Sequence, residues 1–159
     1  MKLQDLVKPG AIVPELTSTN RAGVIRELIE VLAATGQIPQ EEVESLVKSI
    51  IARESSRGST GIGKGVAIPH TKTTKLPAIA AAVGRSAKGV DFAALDGAPV
   101  FAIFLIVSPE ADTKGHLGAM DVVFRTLQSE QFRKFFRQSD TAEKIYDLLR
   151  EADEEILAV

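Results

Sequence analysis

The chain has 159 residues, 45% hydrophobic and 25% charged, with a formal net charge of −2; this is an ordinary globular balance, and one domain over residues 1–159 is expected, burying about two-thirds of its unfolded surface in one core. The near-neutral charge without a dense basic run gives nucleic-acid binding no support, and the absence of cysteine excludes disulfides, thiol catalysis and thiolate metal sites. The opening Met1-Lys-Leu-Gln-Asp-Leu6 lacks the apolar core of a secretion signal, and the longest apolar run, Val100 to Val107, falls far short of the ~20 residues of a membrane helix, so a cytoplasmic chain without membrane insertion is expected.

In chain order, Ala11-Ile12-Val13 is a short extended segment stopped by Pro14. Ser18, Thr19 and Asn20 are all candidate caps for a helix whose apolar positions Val24, Ile25, Leu28, Ile29 and Leu32 recur at three and four, and Gly36 stops it. Pro39 opens a second helix with Glu41 and Glu42 in its first turn, where the helix dipole favours acids. Val43, Leu46, Val47, Ile50 and Ile51 form its core face, and it is expected to fade near Arg53-Glu54, leaving an antiparallel helix pair. After a glycine-rich loop, extended pieces are predicted at Val66 to Ile68, Ile79 to Val83 and Val90 to Phe92, with a turn at Asp96-Gly97. Val100 to Val107 is apolar on both faces, as a central strand covered by helices on each side must be. Three helices close the chain. The first starts near Asp112 or Thr113 with the stripe Leu117, Met120, Phe124 and Leu127; the second is capped by Ser129 and carries Phe132, Phe135 and Phe136, read as core rather than interface; the third has Asp140 and Glu143 as a capping box and Ile145, Leu148 and Leu149 as its core. The order strand, two helices, several strands, three helices predicts a three-layer α/β/α sandwich around a mixed central sheet.

The most distinctive stretch is Gly58-Ser-Thr-Gly-Ile-Gly-Lys-Gly-Val-Ala-Ile-Pro-His70. Glycines let a backbone approach a ligand closely, and Val-Ala-Ile-Pro then presents the imidazole stiffly. Gly58 to Lys64 matches the first seven positions of the P-loop pattern but places Gly65 where a metal-holding hydroxyl belongs. A helix precedes the loop and an extended segment follows it, the reverse of the P-loop context, so nucleotide binding is set aside. A plain connector is the bland alternative, but so many glycines would weaken one without purpose.

An imidazole near neutral pH is largely an uncharged nucleophile, and its attack on phosphorus forms a phosphohistidine suited to relaying the group. Such a site needs donors and positive charge for the phosphoryl oxygens. Loop residues Ser59, Thr60, Gly61 and Gly63 offer hydroxyls and backbone N–H groups, and Arg53, Arg57 and Lys64 offer charge. The only other histidine, His116, falls in the first turn of a predicted helix, beside its buried stripe, where it could bond the phosphoryl group or His70. A satisfied boundary histidine is the plain alternative for both; the loop context argues against it for His70, whereas for His116 alone it would stand. His70, His116 and Asp112 have the types of a metal-binding set, but their spacing does not demand one, and no metal or cofactor is expected.

At these residues the chain resembles enzyme IIA of the bacterial phosphoenolpyruvate-dependent phosphotransferase system, in the branch grouping fructose, mannitol and nitrogen-regulatory types. The likeness runs from Leu6–Glu15 through Thr113-Lys-Gly-His-Leu117 to the last helix. It implies an α/β/α sandwich with a mixed sheet, phosphoryl transfer from the phosphocarrier HPr onto His70 at the nitrogen remote from the backbone, and an assisting role for His116. It also implies an arginine near the phosphoryl group, from an Arg-Glu pair before the loop. Arg53-Glu54 matches by type, but Ser55-Ser56-Arg57 adds one residue before Gly-Ser-Thr, so Arg53 and Arg57 both stand as candidates, with Arg53 favoured by the motif. The resemblance leaves two roles: a regulator that binds target proteins according to its phosphorylation, favoured by the Gly-Ser-Thr-Gly-Ile-Gly wording, and a sugar-uptake component donating to an enzyme IIB. A non-catalytic interaction module is a third reading, against which the intact histidines and arginines stand.

Overall fold

A computed structural model describes residues 1–158; Val159, the last residue of the expected domain, lies outside them. The elements are α1 (Leu3–Leu6), β1 (Val7–Val13), α2 (Arg21–Ala34), a 3-10 turn (Gln40–Glu42), α3 (Val43–Ser56), β2 (Gly61–Gly63), β3 (Val66–Ala67), β4 (His70–Thr73), β5 (Ala80–Val90), β6 (Val100–Pro109), α4 (Thr113–Leu127), α5 (Glu130–Gln138) and α6 (Ala142–Ala158).

The run predicted as a central strand is the hub of the sheet. β6 pairs antiparallel with β5 and parallel with both β3 and β4, β1 adds parallel to β5, and β2 adds antiparallel to β3. Alternation along β6 explains why it is apolar throughout. Ile103, Leu105 and Val107 join the core beneath α2 and α3, while Ala102, Phe104 and Ile106 join the core beneath α1, α4, α5 and α6. Two cores on opposite faces of one mixed sheet make the three layers. The α2 stripe Val24, Ile25, Leu28, Ile29 and Leu32 is wholly buried. Ion pairs join Arg21 to Glu54 and Arg26 to Glu44, residue numbers that fall on α3 as they rise on α2, so the two helices are antiparallel.

Several boundaries differ from the sequence reading, each for a tertiary reason. α3 does not fade at Arg53-Glu54 but continues to Ser56, where the Ser56 hydroxyl donates to the Ala52 carbonyl at 2.8 Å and the Arg57 N–H closes on the Arg53 carbonyl at 2.9 Å. Val90 is no separate edge piece but the end of a longer β5, held by pairing with Val100. β1 starts at Val7 rather than Ala11, recruited by Ala81 of β5. The α4 stripe is rotated: Ala119, Val122, Val123, Thr126 and Leu127 face the core, leaving Leu117 62% and Phe124 47% exposed. Two overlapping stripes at helical spacing exist in that segment, and only the packing partner selects between them. Thr141, not Asp140, caps α6 by accepting from Lys144 N–H at 3.1 Å; Asp140 instead pairs with the Lys144 ammonium at 3.0 Å. Asn20 is the cap of α2, accepting from Gly23 N–H at 2.8 Å. Helix α1 is too short to stand on propensity. Buried Asp153 of α6 holds it by accepting from the N–H groups of Leu3 and Gln4 at 2.6 and 3.0 Å. Phe132 and Phe136 are core as expected, but Phe135 is exposed. Among the described residues, no helix is long and apolar enough to cross a membrane.

Candidate functional site

The site forms where β6 ends. β4 runs parallel beside that end, pairing His70 with Ile106 and Lys72 with Ser108. Neighbours in register share a face of a sheet, so His70 and Lys72 point to the α4 side. Thr71 points to the other face, where its hydroxyl meets that of Ser49 on α3 at 2.7 Å. The turn after β6 is short: Asp112 caps α4 by accepting from Gly115 N–H at 2.9 Å, and a side chain at position 115 would collide with that carboxylate. One helical turn on, His116 faces inward, and its ring centroid lies 5.6 Å from that of His70.

Each imidazole is held through Nδ1, by different partners. His70 Nδ1 lies 2.8 Å from the Ile68 carbonyl oxygen. A carbonyl can only accept, so Nδ1 carries the proton and the neutral ring keeps its lone pair on Nε2. His116 Nδ1 shares a hydrogen bond of 2.7 Å with the hydroxyl of Ser108. Among the described residues, Arg53 Nε is the one buried side-chain polar atom without a partner, so neither histidine's Nε2 is sealed in the core. Both rings line an open cleft of about 560 Å³ together with Ser49, Ala52, Arg53, Ser56, Arg57, Thr71 and Lys72.

The cleft is cationic, and that tunes the rings. Burial pushes the His70 pKa below its ordinary value of 6.5, the Ile68 carbonyl opposes this, Arg53 and Lys72 reinforce it, and Glu54 opposes it. His116 is also lowered, by burial first and then by the charges of His70, Lys72 and Arg53. Both rings are therefore neutral at pH 7, and His70 presents an unprotonated Nε2 to a space rimmed by positive charge. That arrangement suits attack on an electrophile that carries negative charge.

The two candidate arginines separate here. Both line the cleft; the Arg53 charge helps to lower both imidazoles, while Arg57 sits on the exposed C-cap of α3. The loop residues Ser59, Thr60, Gly61 and Gly63 lie outside the lining of this cleft. The Thr60 N–H and hydroxyl both donate to Glu54, the Ser59 hydroxyl donates to the Phe92 carbonyl, and the Gly61 N–H donates to Ser59 Oγ at 2.9 Å. Gly61 and Gly63 form β2, and the next N–H, that of Lys64, donates to Asp96 at 3.0 Å. With the N–H groups of Thr60, Gly61 and Lys64 taken internally, the loop ties α3 to the strand that presents His70. The carboxylate of Asp112 is likewise engaged as a cap, and no cluster of three His, Asp or Glu side chains among the described residues could hold a metal.

Sequence reasoning missed Lys72, Ser108 and the part played by Glu54. The alternation His70-Thr-Lys72 carries a signal for the lysine once that segment is taken as a strand. Glu54 is only 3% exposed, and accepts from Thr60 and from Arg21 of α2 at 3.4 Å. Replacing it by alanine leaves buried donors unmatched and should lower the unfolding free energy by about 3 kcal/mol in urea titrations. A loss under about 1 kcal/mol would show that the loop is held by other contacts.

The chain is similar to known proteins over nearly its whole length. The family model described as "Phosphoenolpyruvate-dependent sugar phosphotransferase system, EIIA 2" matches residues 5–152. A nitrogen regulatory protein of Bradyrhizobium diazoefficiens is 35% identical over 150 residues, covering 94% of this chain and 95% of that protein. The fructose-specific EIIABC component of Bacillus subtilis is 33% identical over 96% of this chain, which spans only 24% of that longer protein. Among solved structures, the nitrogen regulatory protein IIA-Ntr of Neisseria meningitidis superposes with a TM-score of 0.82 at 26% identity, covering 92% of this chain and 98% of that one. The fold superposition and the family match over nearly the full length agree, and the chain belongs to the EIIA 2 family of the phosphoenolpyruvate-dependent sugar phosphotransferase system.

Proposed function

We propose that His70 Nε2 is the atom that takes up the phosphoryl group, from the phosphohistidine of an HPr-like carrier. The observation that carries this reading is the tautomer: the Ile68 carbonyl holds the proton on Nδ1 and leaves Nε2 bare in the cationic cleft. The lone pair of Nε2 attacks phosphorus as the donor's P–N bond breaks, and that bond's electron pair returns to the donor imidazole. His70 keeps its Nδ1–H on the Ile68 carbonyl throughout. Arg53 and Lys72 stand where they can meet the charge of the phosphoryl oxygens, and His116 assists from α4. Ser59, Thr60, Gly61 and Gly63 act indirectly, through the hold of Glu54 on the loop.

The regulator reading is supported by a relative of nearly equal length bearing the name nitrogen regulatory protein. On that reading, phosphate at His70 changes the charge of an exposed cleft and so selects target proteins. The sugar-uptake reading is supported by the fructose-specific EIIABC relative, and in it His70 would donate onward to an enzyme IIB. Both place the chain in the cytoplasm with its donor and need no cofactor.

The test is incubation with phosphoenolpyruvate, enzyme I and HPr, followed by intact mass. The expected product carries one phosphoryl group that is labile in acid and stable in alkali; an unlabelled protein would reject the proposal. Adding a fructose-type IIB then separates the roles, since loss of the label to IIB favours uptake and retention favours regulation.

The pH dependence has a definite sign. Because the His70 pKa is lowered, more than half of the nucleophile remains neutral at pH 6.5, and single-turnover labelling should keep more than half its plateau rate there and fall further only at lower pH. Depressed imidazole pKa values also mean that the unfolded chain binds protons first, so stability is full above the ordinary histidine value and decreases as pH falls through it. A labelling rate that halves by pH 6.5 would contradict the burial effect.

A further inference from the structure

We infer that Ser108 is a positioning residue that fixes His116 in the tautomer opposite to that of His70, so that His116 presents an N–H, not a lone pair, to the phosphoryl group. The inference rests on the reading that His70 carries that group.

The argument is one of proton accounting. Ser108 lies on β6 with no exposed surface, and among the described residues its hydroxyl has a single hydrogen-bond partner, His116 Nδ1 at 2.7 Å. If the ring donated to the hydroxyl, the hydroxyl's own proton would be buried without an acceptor, a cost proteins seldom accept. If the hydroxyl donates, its proton is matched, Nδ1 is the acceptor and the ring proton sits on Nε2. Nε2 points away from Ser108 and is not buried without a partner, so it opens to the cleft lined by both rings.

The two imidazoles are thus given opposite roles by opposite partners. A carbonyl, which can only accept, makes His70 a nucleophile; a buried hydroxyl that must donate makes His116 a donor. In the other tautomer, His116 would turn a lone pair towards phosphoryl oxygens that are themselves negative. Register explains the choice of strand position: Ser108 is the β6 residue opposite Lys72, on the sheet face that α4 covers.

The test begins with long-range 15N–1H NMR of the imidazole nitrogens near pH 7.5, without any phosphoryl donor. The expected spectrum shows His116 protonated at Nε2 in the wild type and mixed between tautomers in Ser108→Ala. A wild-type ring protonated at Nδ1 would overturn the inference, as would an Ser108→Ala ring that stays protonated at Nε2. In single-turnover labelling from phospho-HPr, Ser108→Ala should be slower by about five- to tenfold, the worth of one well-placed hydrogen bond, and Ser108→Thr, which keeps the hydroxyl, should recover the rate if its thermal midpoint shows it folded. An unchanged Ser108→Ala rate would refute the positioning role. The spectrum is read on unphosphorylated protein, so a wrong tautomer is distinguished from a wrong acceptor, which would appear instead as undiminished phosphoryl labelling of His70→Ala.

Discussion

His70→Ala should accept no phosphoryl group, with labelling at least about 10³-fold slower than wild type because no other group in the cleft combines a bare nitrogen with a held proton. The side chain is half-buried and its one hydrogen bond is to the Ile68 carbonyl, which can turn to water, so the variant should unfold close to the wild-type temperature. Loss of labelling with retained fold is therefore the expected pair of results, read by intact mass and by thermal unfolding. If His70→Ala were labelled while His116→Ala was not, the roles of the two rings would be exchanged.

The second large effect belongs to Arg53. Its Nε is buried without a partner, and its charge reaches both imidazoles. Arg53 is half-buried on α3 and lines the cleft, so its guanidinium can meet an anion there with little reorganisation, which is where electrostatic stabilisation is most effective. Arg53→Ala should slow labelling by about 10²-fold. Arg57 is exposed on the cleft's rim, where solvent and salt screen it, and Arg57→Ala should stay within about fivefold of wild type. Single-turnover rates of the two variants decide the assignment, and a larger loss for Arg57→Ala would reverse it.

Much of the architecture was legible because periodicity reports burial directly. The α2 stripe, the two-faced β6 and the core positions Ile145, Leu148 and Leu149 are buried where spacing put them. The α4 stripe was not legible, because Leu117 and Phe124 share helical spacing with a second set, and hydrophobicity alone cannot say which set meets the sheet. The cap of α6 failed for a similar reason: Asp140 and Thr141 are adjacent caps by type, and the backbone chooses between them.

For the site, the residues from Gly58 to His70 pointed to phosphoryl chemistry in order along the chain. A stiff Ile-Pro-His after flexible glycines marks an imidazole placed with care, and the missing hydroxyl at Gly65 removed nucleotide binding. What linear order could not show is which donors remain free. Glu54 takes those of Thr60, Ser59 serves Gly61, and Asp96 takes that of Lys64, so these donors hold the loop against its neighbours.

The sequence by itself determined the layers and the central strand and singled out His70 as the candidate acceptor, because each depends on residue type and on spacing within one segment. Only the tertiary structure showed that Arg53, Arg57 and Lys72 meet in one cleft with the two imidazoles, and that a carbonyl and a buried hydroxyl hold those rings by the same nitrogen. Those facts depend on groups far apart in the chain meeting at the end of β6. A proton's place on a ring is set by its neighbour in space, which no local pattern encodes.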